Sequence, residues 1–272
     1  MKTKYKMFIA KIISKFLTIF ISKNQTVVRD GVMWNLNLEE GIDLSIYLFG
    51  SSEKKITNLT KLVSKEKTPL TFCDIGANIG SVSLVLAKIF NNCKIFAIEP
   101  TNFAYQKLLN NLNLNENLKK RIHSRQLFIA NIKKPKKVWS SWNFNQTRDK
   151  QEKHEKHMGT LKEIKQNSYV RLEQFIKNEN INHIDFIKLD VDGYELDVLS
   201  SGEEFLKKNK PILFIEIAPY LYPEFGYECY DLIKFIKKLN YNFFDENIKE
   251  IPDIFKEVNN IQDGKSKNYF LV

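Results

Sequence analysis

Only three cysteines occur in the 272-residue chain, Cys73, Cys93 and Cys229, and no two of them form a C-x-x-C pair. A disulfide scaffold or a cysteine zinc centre is therefore not expected, and the three read as reduced thiols in a reducing compartment. Histidine is equally sparse, with four residues. The cluster His154-Glu155-Lys156-His157 lacks the H-E-x-x-H spacing and sits in polar sequence without a further ligand, so a solvent-exposed loop is expected there rather than a metal site. No apolar run is long enough for a comfortable transmembrane span. No small-residue cleavage site follows the apolar N-terminal segment, so a signal peptide is not expected either. Internal repeats are absent.

What is present is an ordinary globular composition, 43% hydrophobic, in a chain long enough for one α/β domain with appendages. The formal net charge of +10 suggests an acidic or phosphorylated partner, although a lysine-rich solvated surface gives the same count. Residues 1–23 are more directional. Lys2, Lys4, Lys6, Lys11, Lys15 and Lys23 surround Met7, Phe8, Ile9, Ile12, Ile13, Phe16, Leu17, Ile19, Phe20 and Ile21. On a helix, Lys11 and Lys15 share one face and Ile12, Phe16 and Ile19 another, which suits an interfacial helix. Two readings stay open: peripheral contact with the inner face of a membrane by a cytoplasmic protein, or packing of the helix on the catalytic domain or a second subunit.

The chemistry-bearing stretch is Phe72-Cys73-Asp74-Ile75-Gly76-Ala77-Asn78-Ile79-Gly80, followed by Ala97-Ile98-Glu99-Pro100. Residues 69–74 suit a buried strand, and Ser81 to Phe90 shows helical spacing through Val82, Val85, Leu86 and Ile89. Gly76 and Gly80 fall in the turn between them, where positive φ and close approach of the backbone to a ligand are possible. Free N–H groups at the helix start attract an anion. Glu99 ends the next strand, where a carboxylate can accept both ribose hydroxyls. A dinucleotide fingerprint needs G-x-G-x-x-G, whereas this chain has Gly76-x-x-x-Gly80 and an acid, Asp74, on the strand end itself. The pattern favours S-adenosylmethionine over NAD, with Asp74, Gly76, Asn78, Gly80 and Glu99 as the candidate cofactor residues. Asp74 would lie near the ligand's ammonium through water or the loop backbone, and the turn amides would face its carboxylate.

Along the chain, Asp30-Gly31 between two apolar stretches is a two-residue hairpin signal. Residues 44–49 read as a third strand and 53–64 as a first core helix. Strands at 70–74, 94–98, 125–130, 184–190 and 211–217 then alternate with helices at 81–90, 102–113, 171–178, 195–207 and 228–239, which predicts a parallel sheet covered on both faces. Two last strands near 241–244 and 269–272 would pair antiparallel at an edge. The expected organisation is an N-terminal segment, 1–50, of amphipathic helix and β-hairpin, and a catalytic domain, 51–272. Residues 133–169 break the rhythm as an insertion. Its Lys133, Lys134, Lys136 and Lys137 beside Trp139 and Trp142 could bind nucleic acid or receive a sugar, but a solvated excursion is the simpler expectation.

The same motifs, with Ile187-Lys188-Leu189-Asp190-Val191-Asp192-Gly193-Tyr194-Glu195 and Phe214-Ile215-Glu216-Ile217 downstream, resemble those of the FkbM-type S-adenosylmethionine-dependent methyltransferases over about residues 50–219. Asp192 stands where glutamate is commoner in that family, and Glu173-Gln174 where an aspartate pair is frequent. The resemblance implies a Rossmann-like class I methyltransferase fold and O-methylation of a hydroxyl on a sugar or natural product. In open α/β sheets, ligands lie outside the carboxyl ends of the strands, so Asp190, Asp192 and Glu216 are the candidates to take the acceptor's proton. Asp190 and Asp192 could instead share a divalent cation, but metal-free general-base assistance is the preferred expectation. The expected substrate is a hydroxyl of a glycan, glycolipid or related metabolite. Rival expectations are a nucleic-acid methyltransferase, which Leu189-Asp190-Val191-Asp192 in place of an N-P-P-Y motif makes less attractive, and a noncatalytic binding protein on the same fold.

Overall fold

The computed structural model describes residues 3–50, 54–63, 69–131, 135, 137–140, 154–156, 159–164 and 168–272. Helix α1 (Thr3–Phe20) leads into the hairpin β1 (Asn24–Arg29) and β2 (Val32–Asn37). Its turn residues Asp30 and Gly31 have φ of 50° and 69°, the left-handed pair with which a two-residue loop matches the twist of its strands. Helix α2 (Gly41–Phe49) stands where a strand was expected. A short apolar run does not distinguish the two by periodicity alone, and here Asp43, Leu44 and Ile46 turn inward on a helical repeat. Residues Lys54–Lys61 form a 3-10 helix in place of the expected α-helix.

The core continues through β3 (Leu70–Ile75), α3 (Ser81–Ile89), β4 (Cys93–Ile98), α4 (Asn102–Asn113), α5 (Glu116–Lys119) and β5 (Ile122–Arg125). The expected strand 125–130 is divided: β5 stays in the main sheet, while β6 (Phe128–Ile129) leaves it. Within and after the insertion come β7 (Lys137–Ser140), β8 (Thr160–Glu163), β9 (Tyr169–Val170), α6 (Leu172–Asn178) and β10 (Phe186–Leu189). The expected helix 195–207 is two, α7 (Glu195–Ser200) and α8 (Glu203–Asn209). Gly202 separates them because it packs against Leu172, where a Cβ would fall 2.5 Å from the leucine Cδ2. The chain closes with β11 (Ile212–Ile217), α9 (Cys229–Lys238), β12 (Phe243–Phe244), α10 (Ile254–Asn259) and β13 (Lys267–Leu271).

Seven strands form one sheet in the order β12-β13-β11-β10-β3-β4-β5. Strands β11, β10, β3, β4 and β5 pair parallel, whereas β13 runs antiparallel to β11 and β12. Alternation along the strands divides the core between the two faces of the sheet. Cys73, Ile75, Phe96 and Ile98 enter one apolar cluster, and Phe72, Ile95 and Ala97 enter the other. Chain order reverses between β10 and β3, which opens a crevice beyond their carboxyl ends.

The described part of the insertion is not a solvated excursion. Strands β7 and β8 form an antiparallel hairpin, β6 and β9 a parallel pair, and Val138, Ile164 and His154 are buried. Lys133, Lys134, Lys136, Trp142 and His157 lie outside the described residues. All three cysteines are free, and two of them, Cys73 and Cys93, are buried. Among the described residues, no helix is long and apolar enough to cross a membrane.

The N-terminal hairpin shares its core with the seven-stranded sheet. Val32, Trp34, Leu36 and Ile46 belong to the same buried cluster as Phe72, Leu84, Phe186 and Phe214. Two asparagines, Asn111 of helix α4 and Asn115 just before α5, satisfy the open edge of β2: the Asn35 N–H donates to Asn111 Oδ1 at 2.8 Å, and the Met33 N–H to Asn115 Oδ1 at 3.0 Å. Trp34→Ala should therefore destabilise the whole protein by about 3–5 kcal/mol, the usual cost of emptying a buried aromatic site. Chemical denaturation should keep a single transition at lower midpoint, and a second, separate transition would make residues 1–50 an independent unit.

Candidate active site

The site begins with a lysine that has almost no access to water. Lys188 on β10 pairs in register with Asp74 on β3, and both side chains are buried. Its Nζ donates to the Gly76 carbonyl at 2.8 Å and lies 3.3 Å from Asp190 Oδ2 and 3.7 Å from Asp74 Oδ1. An ammonium in an apolar sheet needs such partners, since an unpaired buried charge costs several kcal/mol. Asp74 is fully buried and its other oxygen accepts from the Ser83 hydroxyl at 2.7 Å. Burial raises the Asp74 pKa against the opposing pull of Lys188 and Ser83. Asp74 thus sits beneath the turn, and any influence on a ligand passes through Lys188 and the loop backbone.

The turn after β3 is held by its own hydrogen bonds. The Gly76 and Ala77 N–H groups both donate to the Ile98 carbonyl at 2.9 Å, Asn78 N–H donates to Glu99 Oε2 at 3.0 Å, and Gly80 N–H to Ala77 O at 2.8 Å. The amides expected to face a ligand carboxylate are therefore engaged within the protein, which leaves the first N–H groups of α3 for that purpose. Gly76 has φ of 80°, and a Cβ on it would meet the Asp190 carbonyl oxygen at 1.9 Å. Only glycine lets the β3 and β10 loops approach this closely. Asn78 adopts φ of 50°, a left-handed conformation that asparagine tolerates better than most residues.

Glu99 ends β4, and its Oε1 accepts from the Thr101 N–H at 2.9 Å and the Thr101 hydroxyl at 2.6 Å. Thr101 Oγ1 in turn caps α4 by accepting from Ala104 N–H. Three of roughly four acceptor positions on the carboxylate are thereby filled, so one remains, for one ligand hydroxyl rather than both. Burial raises the Glu99 pKa, and the hydrogen bonds from Thr101 and Asn78 oppose that rise.

A single cavity joins these parts. Gly76, Ala77, Asn78 and Ser81 form one wall; Glu99, Pro100 and Thr101 a second; Lys188, Asp190 and Asp192 a third. Leu127, Phe128 and Ile129 add an apolar side, and Trp139 from the β7 strand closes over it. Candidates from three separate strand ends thus meet in one space, while Gly80 lies just behind it, packed on Leu108.

The electrostatics are unusual at the acidic wall, where Asp190 and Asp192 line the cavity and Glu216 of β11 stands beside them without lining it. Carboxylate oxygens of Asp190, Asp192 and Glu216 all lie within 4.8 Å of one another, a spacing that a divalent cation could also use. Asp192 and Glu216 have pKa values pushed well up, first by withdrawal from water and then by Asp190 beside them. The Ser266 hydroxyl bonds to Glu216 Oε1 and partly offsets this. Asp192 has φ of 49° and Gly193 φ of 101°, and Gly193 packs where a Cβ would strike the Phe225 ring. Next to them stand two residues that the sequence analysis named but did not assign to the site. Glu195 Oε1 accepts from the Val191 and Gly193 N–H groups at 3.2 and 3.4 Å, so it ties down the loop that carries Asp192. His154, expected in an exposed loop, is buried because its Nε2 bonds to Glu224 Oε1 at 2.7 Å and its ring meets the edge of Trp139. No local signal marked it, since Glu224 and Tyr220 reach it from a distant segment.

Glu195 Oε2 is buried without a hydrogen-bond partner, and burial raises the group's pKa to about 7. An unfolded glutamate titrates near about 4.3. As pH falls from about 8 to about 5, the folded protein takes up a proton that the unfolded chain does not, so this group's contribution to stability should rise. Glu195→Gln, which copies the protonated form, should be at least as stable as wild type at the alkaline end and show a shallower rise on acidification. Parallel pH slopes in denaturant titrations of the two proteins would show that Glu195 titrates normally.

The profile described as Methyltransferase FkbM domain matches residues 74–243, more than half of the chain. No curated protein matches. Among solved structures, a methyltransferase FkbM from Methylobacillus flagellatus is similar at 17% identity and TM-score 0.44, covering 75% of this chain and 43% of that one. This chain therefore spans less than half of the length of that protein. A human methyltransferase 10 domain containing protein is similar at 12% identity and TM-score 0.45, with 97% and 94% of the chains covered. TYW2 from P. horikoshii, solved in complex with MeSAdo, is similar at 16% identity and TM-score 0.43, covering 98% of this chain and 82% of its own. The central sheet is seven-stranded and mostly parallel, and on the match over residues 74–243 the chain belongs to the FkbM methyltransferase family.

Proposed function

We propose that this methyltransferase uses S-adenosylmethionine to methylate a hydroxyl of a glycan, glycolipid or related metabolite. The observation that carries the reading is the meeting, in one cavity, of a buried Glu99 carboxylate with one open acceptor position and the Asp190 and Asp192 carboxylates at the opposite wall. The cavity suits the proposed ligand by its donor set. Glu99 would hold a ribose hydroxyl, the apolar side from Leu127 to Ile129 would cover a nucleobase, and the positive end of α3 near Ser81 would face a carboxylate. When bound, S-adenosylmethionine supplies an electrophilic methyl carbon on a sulfonium.

The protein's own part is positioning and proton removal. As the acceptor oxygen forms its bond to carbon, its proton passes to a carboxylate oxygen of the Asp190, Asp192 and Glu216 group. Carboxylates whose pKa is raised by low hydration are stronger bases than those in water, which fits Asp192 and Glu216 to that task. An acidic wall favours a neutral polyol over nucleic acid, because it offers hydrogen-bond acceptors to hydroxyls and, among the described residues, no cation to a phosphate beyond the already paired Lys188. Trp139 on the cavity wall offers the flat apolar face on which a sugar ring can rest.

Two measurements test the reading. Glu99→Ala should weaken S-adenosylmethionine binding by about 1–3 kcal/mol in calorimetric titration, the range for losing a charge-assisted hydrogen bond. Wild-type protein should take S-adenosylhomocysteine but not NAD, and selective binding of NAD would remove the cofactor assignment. Asp190→Asn keeps the shape of the side chain while discarding its charge. Single turnover on extracted glycans, followed by intact mass in the presence of a chelator, should fall by about 10²-fold or more with cofactor affinity nearly constant. Abolition of wild-type turnover by the chelator alone would make the three acids a cation site. A melting temperature taken on the same preparations separates lost chemistry from lost folding.

A further inference from the structure

Helix α1 carries two adjoining apolar faces, and only one of them is covered. Ala10, Ile13, Leu17 and Ile21 pack on Leu38, Leu44 and Tyr47, which fixes the helix to α2 and the end of β2. A second face carries Phe8, Ile9, Ile12, Phe16, Ile19 and Phe20, whose exposures run from 45% to 74%. Phe16 and Phe20 stack edge to face there, with ring centroids 5.2 Å apart. These six large side chains, spread over about three turns from Phe8 to Phe20, form a contiguous patch, which a protein surface does not ordinarily leave to water. Lys11 and Lys15 fall on the third sector, where the two apolar faces do not meet.

Charge decides what this face fits. Residues 1–29 contain Lys2, Lys4, Lys6, Lys11, Lys15, Lys23 and Arg29 and no acid; the first is Asp30. This stretch thus holds seven positive charges, against a net of +10 for all 272 residues. An apolar face bordered by lysines and free of carboxylates gains from burial in an acyl layer and from attraction to anionic headgroups. A second copy of the chain would instead bring two lysine borders together with no acid on either side to offset them.

We infer that the outward face of α1 docks the protein on an anionic lipid surface, with Phe8, Ile12, Phe16 and Ile19 entering the headgroup boundary and Lys11 and Lys15 meeting the lipid charge. Helix α2, on which α1 is mounted, also supplies Ile42 to the wall of the cavity. A docked α1 therefore holds the cavity close to the surface, whatever its acceptor.

The test is co-sedimentation of the full chain with phosphatidylcholine vesicles made with and without phosphatidylserine. Wild type should partition onto the anionic vesicles and much less onto the neutral ones. Phe16→Ser combined with Ile19→Ser should weaken partition by about 100-fold or more, at about tenfold for each large side chain that no longer leaves water. Lys11→Glu combined with Lys15→Glu should weaken it by about 25-fold or more, at about fivefold for each lysine lost from the surface. Both exposed apolar positions are free of core contacts, so melting temperature should stay near wild type. Equal partition of wild type and either variant, or equal binding to the two vesicle types, would overturn the inference. A concentration-dependent dimer that dissociates in the serine variant while wild type ignores vesicles would overturn it in favour of a second copy.

Discussion

A buried ammonium governs the geometry of this protein. Lys188 enters a sheet that is otherwise apolar, and it can do so only because Asp74 stands beside it on β3, Asp190 follows on its own strand, and the Gly76 carbonyl faces it. Each partner is thereby fixed. The Gly76 carbonyl sets the path of the first loop, and Asp190 sets the start of the loop after β10. Removing one charge would leave the others uncompensated in a region of low polarity, which is far more costly than the pair is stabilising. The motif is in this sense a tether between two strand ends, and the crevice at the reversal of chain order is the space that it holds open.

Beyond that tether, the site is organised by negative charge. Asp190 is balanced by Lys188, whereas Asp192 and Glu216 lie in the same field with less compensation, and their ionisation is resisted accordingly. Glu195 repeats the pattern one turn further on, using one oxygen to hold two loop amides while the other has no partner. In the proposed function, these reluctant carboxylates would receive the proton of an acceptor hydroxyl. The opposite wall differs in kind: Glu99 is saturated by Thr101 and Asn78 except for one position, so it is built to orient a ligand rather than to titrate.

Much of the frame was legible along the chain, because the relevant signals are local. Asp30-Gly31 announced a hairpin since its turn needs two left-handed residues. The strands ending in Asp74, Glu99, Asp190 and Glu216 were readable from apolar runs closed by an acid. What misled was also local. Residues 44–49 have the composition of a strand and form a helix, and the run from 195 to 207 is interrupted because Gly202 must pass Leu172. Neither outcome is encoded within its own segment, since each depends on a neighbour that arrives from elsewhere.

The sequence alone determined the alternation of strands and helices, the acids at four strand ends and the glycines that permit close loops, because periodicity and turn chemistry act over a few residues. Tertiary structure alone decided three other things. It buried His154 against Glu224 and brought Trp139 over the cavity. It spent the turn amides of Gly76 and Ala77 on the Ile98 carbonyl, so that they do not face a ligand. And it divided α1 into a covered and an uncovered apolar face by mounting it on Leu38 and Leu44. These depend on which distant surfaces meet, and on which polar groups have already found partners when they do.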